Sequence, residues 1–338
     1  MSEYRVAIMG AGAVSREHAK AYLANPHTQV VGVCSRRVES ARRLVHEVGL
    51  GCAVYPDFAA LLADDRVDIV SICTPNYQHA TLAIQTAQAG KHLVLEKPVG
   101  ITPEEVRAVR EAVRAAGVRS VVSFILRWNP LVQTIRALLD QQAIGEVFYA
   151  ECDYWHGIQP TFPSYEWIRH REFAGGAFIT GGCHAVDAIR NFAGEIVEVS
   201  AHSVRRRPDF DYPTTLVAMV KFASGAIGKI GCPVETRAPY QFNIDLLGTE
   251  GTIRDNRLFS RRLLPGQTGF AEIPTVLPAS GDVRHHPFPA EIDHFVTCLL
   301  EDREPMPNVE DACKTQEVCL AAEMSAAAGG KAIPLPLS

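Results

Sequence analysis

No apolar run in this chain of 338 residues approaches the roughly 20 residues a membrane-spanning helix needs. No Cys-x-x-Cys pair occurs. The nine cysteines are scattered, so neither a zinc site nor a disulfide framework is indicated, and they read as free thiols of a reducing compartment. Positive charge is not in excess: Lys and Arg number 33 against 38 Asp and Glu, and a net charge of -5 argues against a general nucleic-acid binder. Met1-Ser2-Glu3-Tyr4-Arg5 lacks the basic segment and long apolar core of a secretory signal, so the expectation is a cytoplasmic protein. Internal repeats and low-complexity stretches are also missing. What is present, 47% hydrophobic and 21% charged residues, is globular, and the length suggests two domains.

The first part alternates strand and helix, which implies a parallel sheet covered on both faces. Residues 5–9 read as a short buried strand, and Gly10-Ala11-Gly12-Ala13-Val14-Ser15 follows at once, before a helical run over 16–24. Strand, glycine turn and helix in that order give the pattern G-x-G-x-x-G its meaning. Gly10 allows a tight turn and Gly12 a close approach of backbone to pyrophosphate, which then rests on the amides of Ala13 and Val14 at the helix start. Ser15 replaces the third glycine as a small residue that still permits close packing. The next strand, 29–34, ends in Ser35-Arg36-Arg37 with no acid to accept from ribose hydroxyls. A hydroxyl and guanidinium groups suit a 2′-phosphate instead. NADP is therefore the expected cofactor, with NAD not excluded.

Two further strand ends carry candidate residues. The strand over 67–72 runs into Thr74-Pro75-Asn76, expected against the cofactor together with His79 in the helix read over 77–89. The run Leu93-Val94-Leu95 delivers Glu96-Lys97-Pro98 to the same edge, where ligands of open parallel sheets bind. Lys97 beside a dinucleotide is a candidate proton donor or acceptor, and Pro98 biases it toward an extended backbone. Helix 103–116 and a last strand over 120–126 complete this part.

From about residue 127 strands succeed one another, at 147–154, 197–204, 214–222, 226–232 and 242–247, with a hairpin signal at Ala223-Ser224-Gly225. Such succession predicts a mainly antiparallel sheet. Helices are read over 130–142, 290–300 and 308–328. The segment from Gly175-Gly176 to Gly181-Gly182 crowds glycine before a helix over 184–192. On that helix His184 and Asp187 share a face, which makes Asp187 a supporting residue for a catalytic His184.

Together these residues resemble the Gfo/Idh/MocA family of NAD(P)-dependent oxidoreductases, which act mostly on sugars, cyclitols and their derivatives. The resemblance rests on the glycine turn with His18 after it, Thr74-Pro75-Asn76, Glu96-Lys97-Pro98 and Arg127-Trp128-Asn129-Pro130. It continues through Ile144-Gly145-Glu146-Val147, Gly175 to Asp187, Gly248-Thr249-Glu250-Gly251 and Glu291-Ile292-Asp293-His294-Phe295. It implies an α/β fold: a Rossmann doubly wound parallel sheet over residues 1–126, then an α+β domain over 127–338 with a large, mainly antiparallel open sheet. That second domain is expected to bind substrate and join subunits into dimers or tetramers, and its C-terminal helices to pack back on the first. Lys97 corresponds to the family's catalytic lysine and His184 to its catalytic histidine. Many members carry Asp four residues before that histidine, where this chain has Thr180.

The expected chemistry is hydride transfer between nicotinamide and a carbinol or keto carbon of a sugar-like substrate, with Lys97 and His184 moving the hydroxyl proton. The loop from Tyr154 to Arg171 is rich in aromatic and hydrogen-bonding groups. Arg127, Tyr154, Trp167, Arg169 and Thr180 join Lys97 and His184 as expected substrate contacts. Two alternatives stand beside this reading: a glycoside hydrolase or lyase in which the cofactor oxidises the sugar transiently, elimination follows and the cofactor is restored, and a cofactor-binding regulator without catalysis.

Overall fold

The structure, a computed structural model, describes residues 4–278 and 286–337. Met1, Ser2 and Glu3 of the N-terminal segment read above lie outside the described residues. The chain divides into two compact units. One comprises the residues up to Ile125 together with Pro287–Cys313; the other comprises Leu126–His286 and the residues from Lys314 onward.

In the first unit strands and helices alternate as β1 (Tyr4–Met9), α1 (Ala13–Ala24), β2 (Thr28–Cys34), α2 (Val38–Val48), β3 (Ala53–Tyr55) and α3 (Phe58–Leu62). Then come β4 (Ile69–Ile72), α4 (His79–Gln88), β5 (His92–Leu95), α5 (Pro103–Ala116) and β6 (Ser120–Val122), with α10 (Phe288–Leu300) added from far along the chain. The six strands are all parallel, in the order β3-β2-β1-β4-β5-β6. Val6, Ala7 and Ile8 are fully buried, as are Leu93, Val94 and Leu95, because helices cover both faces of such a sheet. The order reverses between β1 and β4, so a crevice opens beyond their carboxyl ends, where Gly10 and Thr74 stand.

Three local expectations change. β3 and α3 give no sequence signal, being only three and five residues long. The helix expected from Tyr77 begins at His79, after one 3-10 turn over Asn76–Gln78. The last strand ends at Val122 rather than 126: Phe124, Ile125 and Leu126 are buried, but Ile125–Trp128 forms a 3-10 turn. An apolar run buried in a turn reads in sequence like a buried strand.

The second unit opens with α6 (Pro130–Asp140), whose first amides are capped by Asn129. Then come β7 (Val147–Trp155), the short helices α7 (Tyr165–Ile168) and α8 (Arg171–Ala174), α9 (Cys183–Ala193), β8 (Ile196–Val204), β9 (Thr215–Phe222) and β10 (Ile227–Pro233). β11 (Gln241–Gly248), β12 (Gly251–Arg254), β13 (Arg257–Ser260), β14 (Ala271–Glu272) and β15 (Ile333–Pro334) complete the strands, and α11 (Val309–Ala327) carries the chain across the boundary at Cys313. The sheet runs β14-β13-β12-β11-β7-β10-β9-β8-β15, antiparallel except for the β7–β10 pair. Alternation sorts its faces: Leu216, Ala218, Val220 and Phe222 are buried, whereas Val217 and Met219 on β9 and Ile227 on β10 are exposed.

Candidate active site

The glycine turn is built for an approach from outside. Gly10 has φ +115°, and a Cβ there would stand 2.4 Å from the Cys73 carbonyl oxygen, so only glycine lets the end of β1 lie against the end of β4. Gly12 is the opposite case: it is exposed, with nothing within 4 Å of where its Cβ would be. α1 starts one residue later without a side-chain cap on its first amides. The Ser15 hydroxyl accepts from the Gly12 amide at 3.1 Å and donates to Cys73 O at 3.5 Å, so Ser15 packs where the pattern has its third glycine. Open amides beside open space fit a pyrophosphate. At the end of β2, Ser35 is half-buried, and Arg36 and Arg37 are exposed with no ion-pair partner among the described residues.

Beyond β4 and β5 the groups are packed more tightly. His79 is buried, its Nδ1 2.7 Å from Pro98 O and its Nε2 2.8 Å from Thr74 O. Both ring nitrogens are therefore taken by the chain itself. Glu96 is buried 3.0 Å from His18 Nε2. Burial works against both charges, but their bond and mutual attraction outweigh it, lifting the His18 imidazole above and holding the Glu96 carboxyl below their ordinary values. Lys97 follows, half-buried.

Glu291 on α10 completes this cluster. It is fully buried, and neither carboxyl oxygen makes a well-formed hydrogen bond among the described residues. Burial pushes the carboxyl up from 4.5 to about 8, with His18 opposing and Glu96 adding to the shift. The folded state therefore keeps a proton that the unfolded chain releases. Stability should fall as pH rises from about 4.5 to about 8, by up to roughly 1.4 kcal/mol per pH unit. Glu291→Gln does not titrate, so its stability relative to wild type should improve across that window. A difference in melting temperature that stays flat with pH would contradict the assignment.

In the second unit, His184 opens α9 directly after a π-helical turn, Phe178–Gly182, which the glycine-rich segment forms. Gly176 has φ +148°, and its missing Cβ leaves room for Glu323, 2.3 Å from Oε1 to the Cβ position. Glu323 accepts from the Phe178 amide at 3.3 Å and from Arg171 Nη2 at 3.0 Å, so it tethers the turn. Thr180 Oγ1 donates to Ala174 O at 2.8 Å. The Tyr154 ring stacks with His184 and with His156, each at 5.8 Å, and Tyr240 meets Tyr154 and His156 edge-on at 5.4 and 5.7 Å. A cavity of about 240 Å³ adjoins the outer end of this stack, with His156, Gln159, Phe162 and Tyr240 among its walls.

Asp187 does not support His184. Its carboxylate is taken by Arg127, whose Nε and Nη2 each donate at 2.7 Å, and by Thr315 Oγ1 at 3.2 Å. That pair also occupies the guanidinium expected to contact substrate. Arg169 lies 5.9 Å over the Tyr165 ring and 3.6 Å from Glu166, and half-buried Trp167 makes no ring contact with the Tyr154 stack among the described residues. Among the expected contacts, then, the structure brings Tyr154 and His184 together. His156 and Tyr240 were not among them. His156 stands in the aromatic loop, which is the signal that would have found it, whereas Tyr240, on the approach to β11, leaves none.

A family model described as "Oxidoreductase family, NAD-binding Rossmann fold" matches residues 4–124, and one described as "GFO/IDH/MocA C-terminal domain" matches residues 132–254. Scyllo-inositol 2-dehydrogenase (NAD(+)) of Bacillus subtilis (strain 168) is 28% identical over 335 residues, covering 96% of this chain and 94% of its own. D-xylose 1-dehydrogenase (NADP(+)) 2 of Haloferax volcanii is 28% identical over 233 residues, 69% of each chain. A solved levoglucosan dehydrogenase in complex with NADH and levoglucosan superposes with a TM-score of 0.89 at 23% identity, covering 99% of this chain and 100% of that one. At that identity the likeness is one of fold.

Proposed function

The chain belongs to the Gfo/Idh/MocA family of oxidoreductases, and we propose that it moves a hydride between a nicotinamide cofactor and a carbinol or keto carbon of a sugar, cyclitol or sugar derivative. The observation that carries this reading lies within one sheet: the open glycine turn after β1 and Lys97 after β5 stand at the same carboxyl edge. The names of the relatives, which act on inositol, xylose and levoglucosan, support a polyol substrate.

Gly10, Gly12 and the amides that open α1 hold the pyrophosphate, and Thr74, Pro75 and Asn76 line the crevice beside them. The bound nicotinamide supplies the hydride acceptor or donor. Lys97 and His184 are the residues we assign to proton exchange at the reacting hydroxyl. A screen of sugars and cyclitols, reading NAD(P)H absorbance alongside product analysis, tests the proposal. No absorbance change with any polyol would sink it, and sugar-bond cleavage without net cofactor turnover would replace it with the hydrolase or lyase reading.

Cofactor choice is the finer part. Exposed Arg36, with no ion-pair partner among the described residues and no acid at the end of β2, favours a 2′-phosphate and hence NADP. Arg36→Ala should weaken NADP far more than NAD, since one charged hydrogen-bonded contact is worth about 1.5–3 kcal/mol, roughly tenfold or more in affinity. Tighter binding of NAD than NADP by wild type would leave Arg36 and Arg37 as solvated surface. The exposed Val217, Met219 and Ile227 on one face of the second sheet suit a second copy of the chain, giving dimers or tetramers. The cytoplasm, as a reducing compartment, suits nine free cysteines.

A further inference from the structure

The charge on His79 can be read from what its ring faces. Nδ1 stands 2.7 Å from Pro98 O and Nε2 2.8 Å from Thr74 O. A backbone carbonyl only accepts, so each contact is a hydrogen bond only if the nitrogen facing it carries a proton. Neutral imidazole has one N–H. Its other nitrogen would set a lone pair against a carbonyl lone pair at hydrogen-bonding distance. His18, also buried in this unit, is not so constrained. Its Nε2 faces Glu96, and its Nδ1 faces the Ser71 hydroxyl at 3.4 Å, a group that donates as readily as it accepts. A neutral tautomer of His18 satisfies both neighbours; no neutral tautomer of His79 does.

We propose that His79 is held as an imidazolium, a charged staple between the carboxyl end of β4 and the backbone that follows Lys97, and so a positioning residue for Lys97. Burial is the largest influence on this ring and, with the Lys97 ammonium adding to it, pulls its value below the ordinary histidine one against the two carbonyls and the Glu96 carboxylate, so electrostatics alone favour the neutral form and the case for the charge is geometric. What decides for the charged form is that a neutral ring cannot keep both short contacts. One of them would have to open, and the Thr74 or Pro98 backbone would move with it. The staple is made entirely inside the first unit, between the strand end that lines the cofactor crevice and the strand end that bears Lys97. Its charge state does not depend on the proposed function, whereas its effect on turnover rests on the role given there to Lys97.

The test is the protonation of the ring nitrogens in the cofactor-free protein. With 15N-histidine labelling, nitrogen–proton correlation spectra are recorded about two units above the ordinary histidine value of ~6.5. A ring with both nitrogens protonated should persist there and disappear in His79→Gln, and His18→Gln separates it from any signal of the His18–Glu96 pair. If the variants fail to fold, the wild-type spectrum decides alone: should none of the 12 histidines keep both ring protons, the proposal is overturned. His79→Gln bonds one carbonyl at most. It should lose on the order of 10–10²-fold in kcat, the cost of a small misplacement of a reacting group. Unchanged kcat in the folded variant would overturn the positioning role. The ring spectrum is read without substrate, so a failure of the Lys97 assignment itself would leave it unaltered.

Discussion

Lys97→Met is expected to abolish measurable turnover while the protein still folds and binds cofactor. The lysine follows β5 at the carboxyl edge of the first sheet, whereas the glycine turn that receives the pyrophosphate follows β1, two strands away, and is untouched by the change. A positioned acid–base group contributes about 10²–10⁴-fold in rate, so the loss should be at least of that size. Met keeps the length and apolar stem of the side chain, which limits the effect on packing. His184→Ala should also be severe, but it removes a ring from the stack with Tyr154 and so mixes chemistry with structure. The lysine is the cleaner probe. The measurement is kcat on the best substrate found in the screen, alongside cofactor affinity by titration. A folded Lys97→Met protein that retains most of the wild-type rate would remove this residue from the mechanism.

The second large effect is on stability. Asp187→Ala should destabilise the second unit by about 3–5 kcal/mol, because it leaves the Arg127 guanidinium buried without its carboxylate. The Arg127 and Asp187 side chains are only 14% and 3% exposed, and their two parallel bonds are both 2.7 Å, so solvent does little to screen the loss. Thr315 loses its acceptor at the same time. The double variant Arg127→Met/Asp187→Ala should recover part of the deficit, since no charge is then left unpaired. Chemical denaturation of these two variants and of Arg127→Met alone gives the coupling energy directly. A cost under about 1 kcal/mol for Asp187→Ala would mean that the carboxylate is available for other work, and would restore its expected role beside His184.

Which of these features were legible in the sequence follows from the range of the interactions that make them. β1, the glycine turn and α1 announce themselves because strand, turn and helix signals are local, and Gly10 and Gly12 answer to steric demands within a few residues of chain. The same holds for Lys97 at the end of an apolar run and for His184 after a glycine-rich approach. Period-two alternation along β9 likewise marks an open sheet with one buried face.

Tertiary structure decided the rest. Helical spacing alone puts Asp187 beside His184, but the carboxylate turns to Arg127, 60 residues before it, and Thr315, 128 residues after it. A buried carboxylate goes to the strongest donor packed against it, and sequence spacing does not report which donor that is. Tyr240 reaches the Tyr154 stack, and Glu291 the Glu96–His18 pair, by the same kind of long-range packing. His79 shows the division within one side chain. Its place at the start of α4 follows from the local pattern, while the two carbonyls that demand its charge belong to β-strand ends that only the folded sheet brings to either side of the ring.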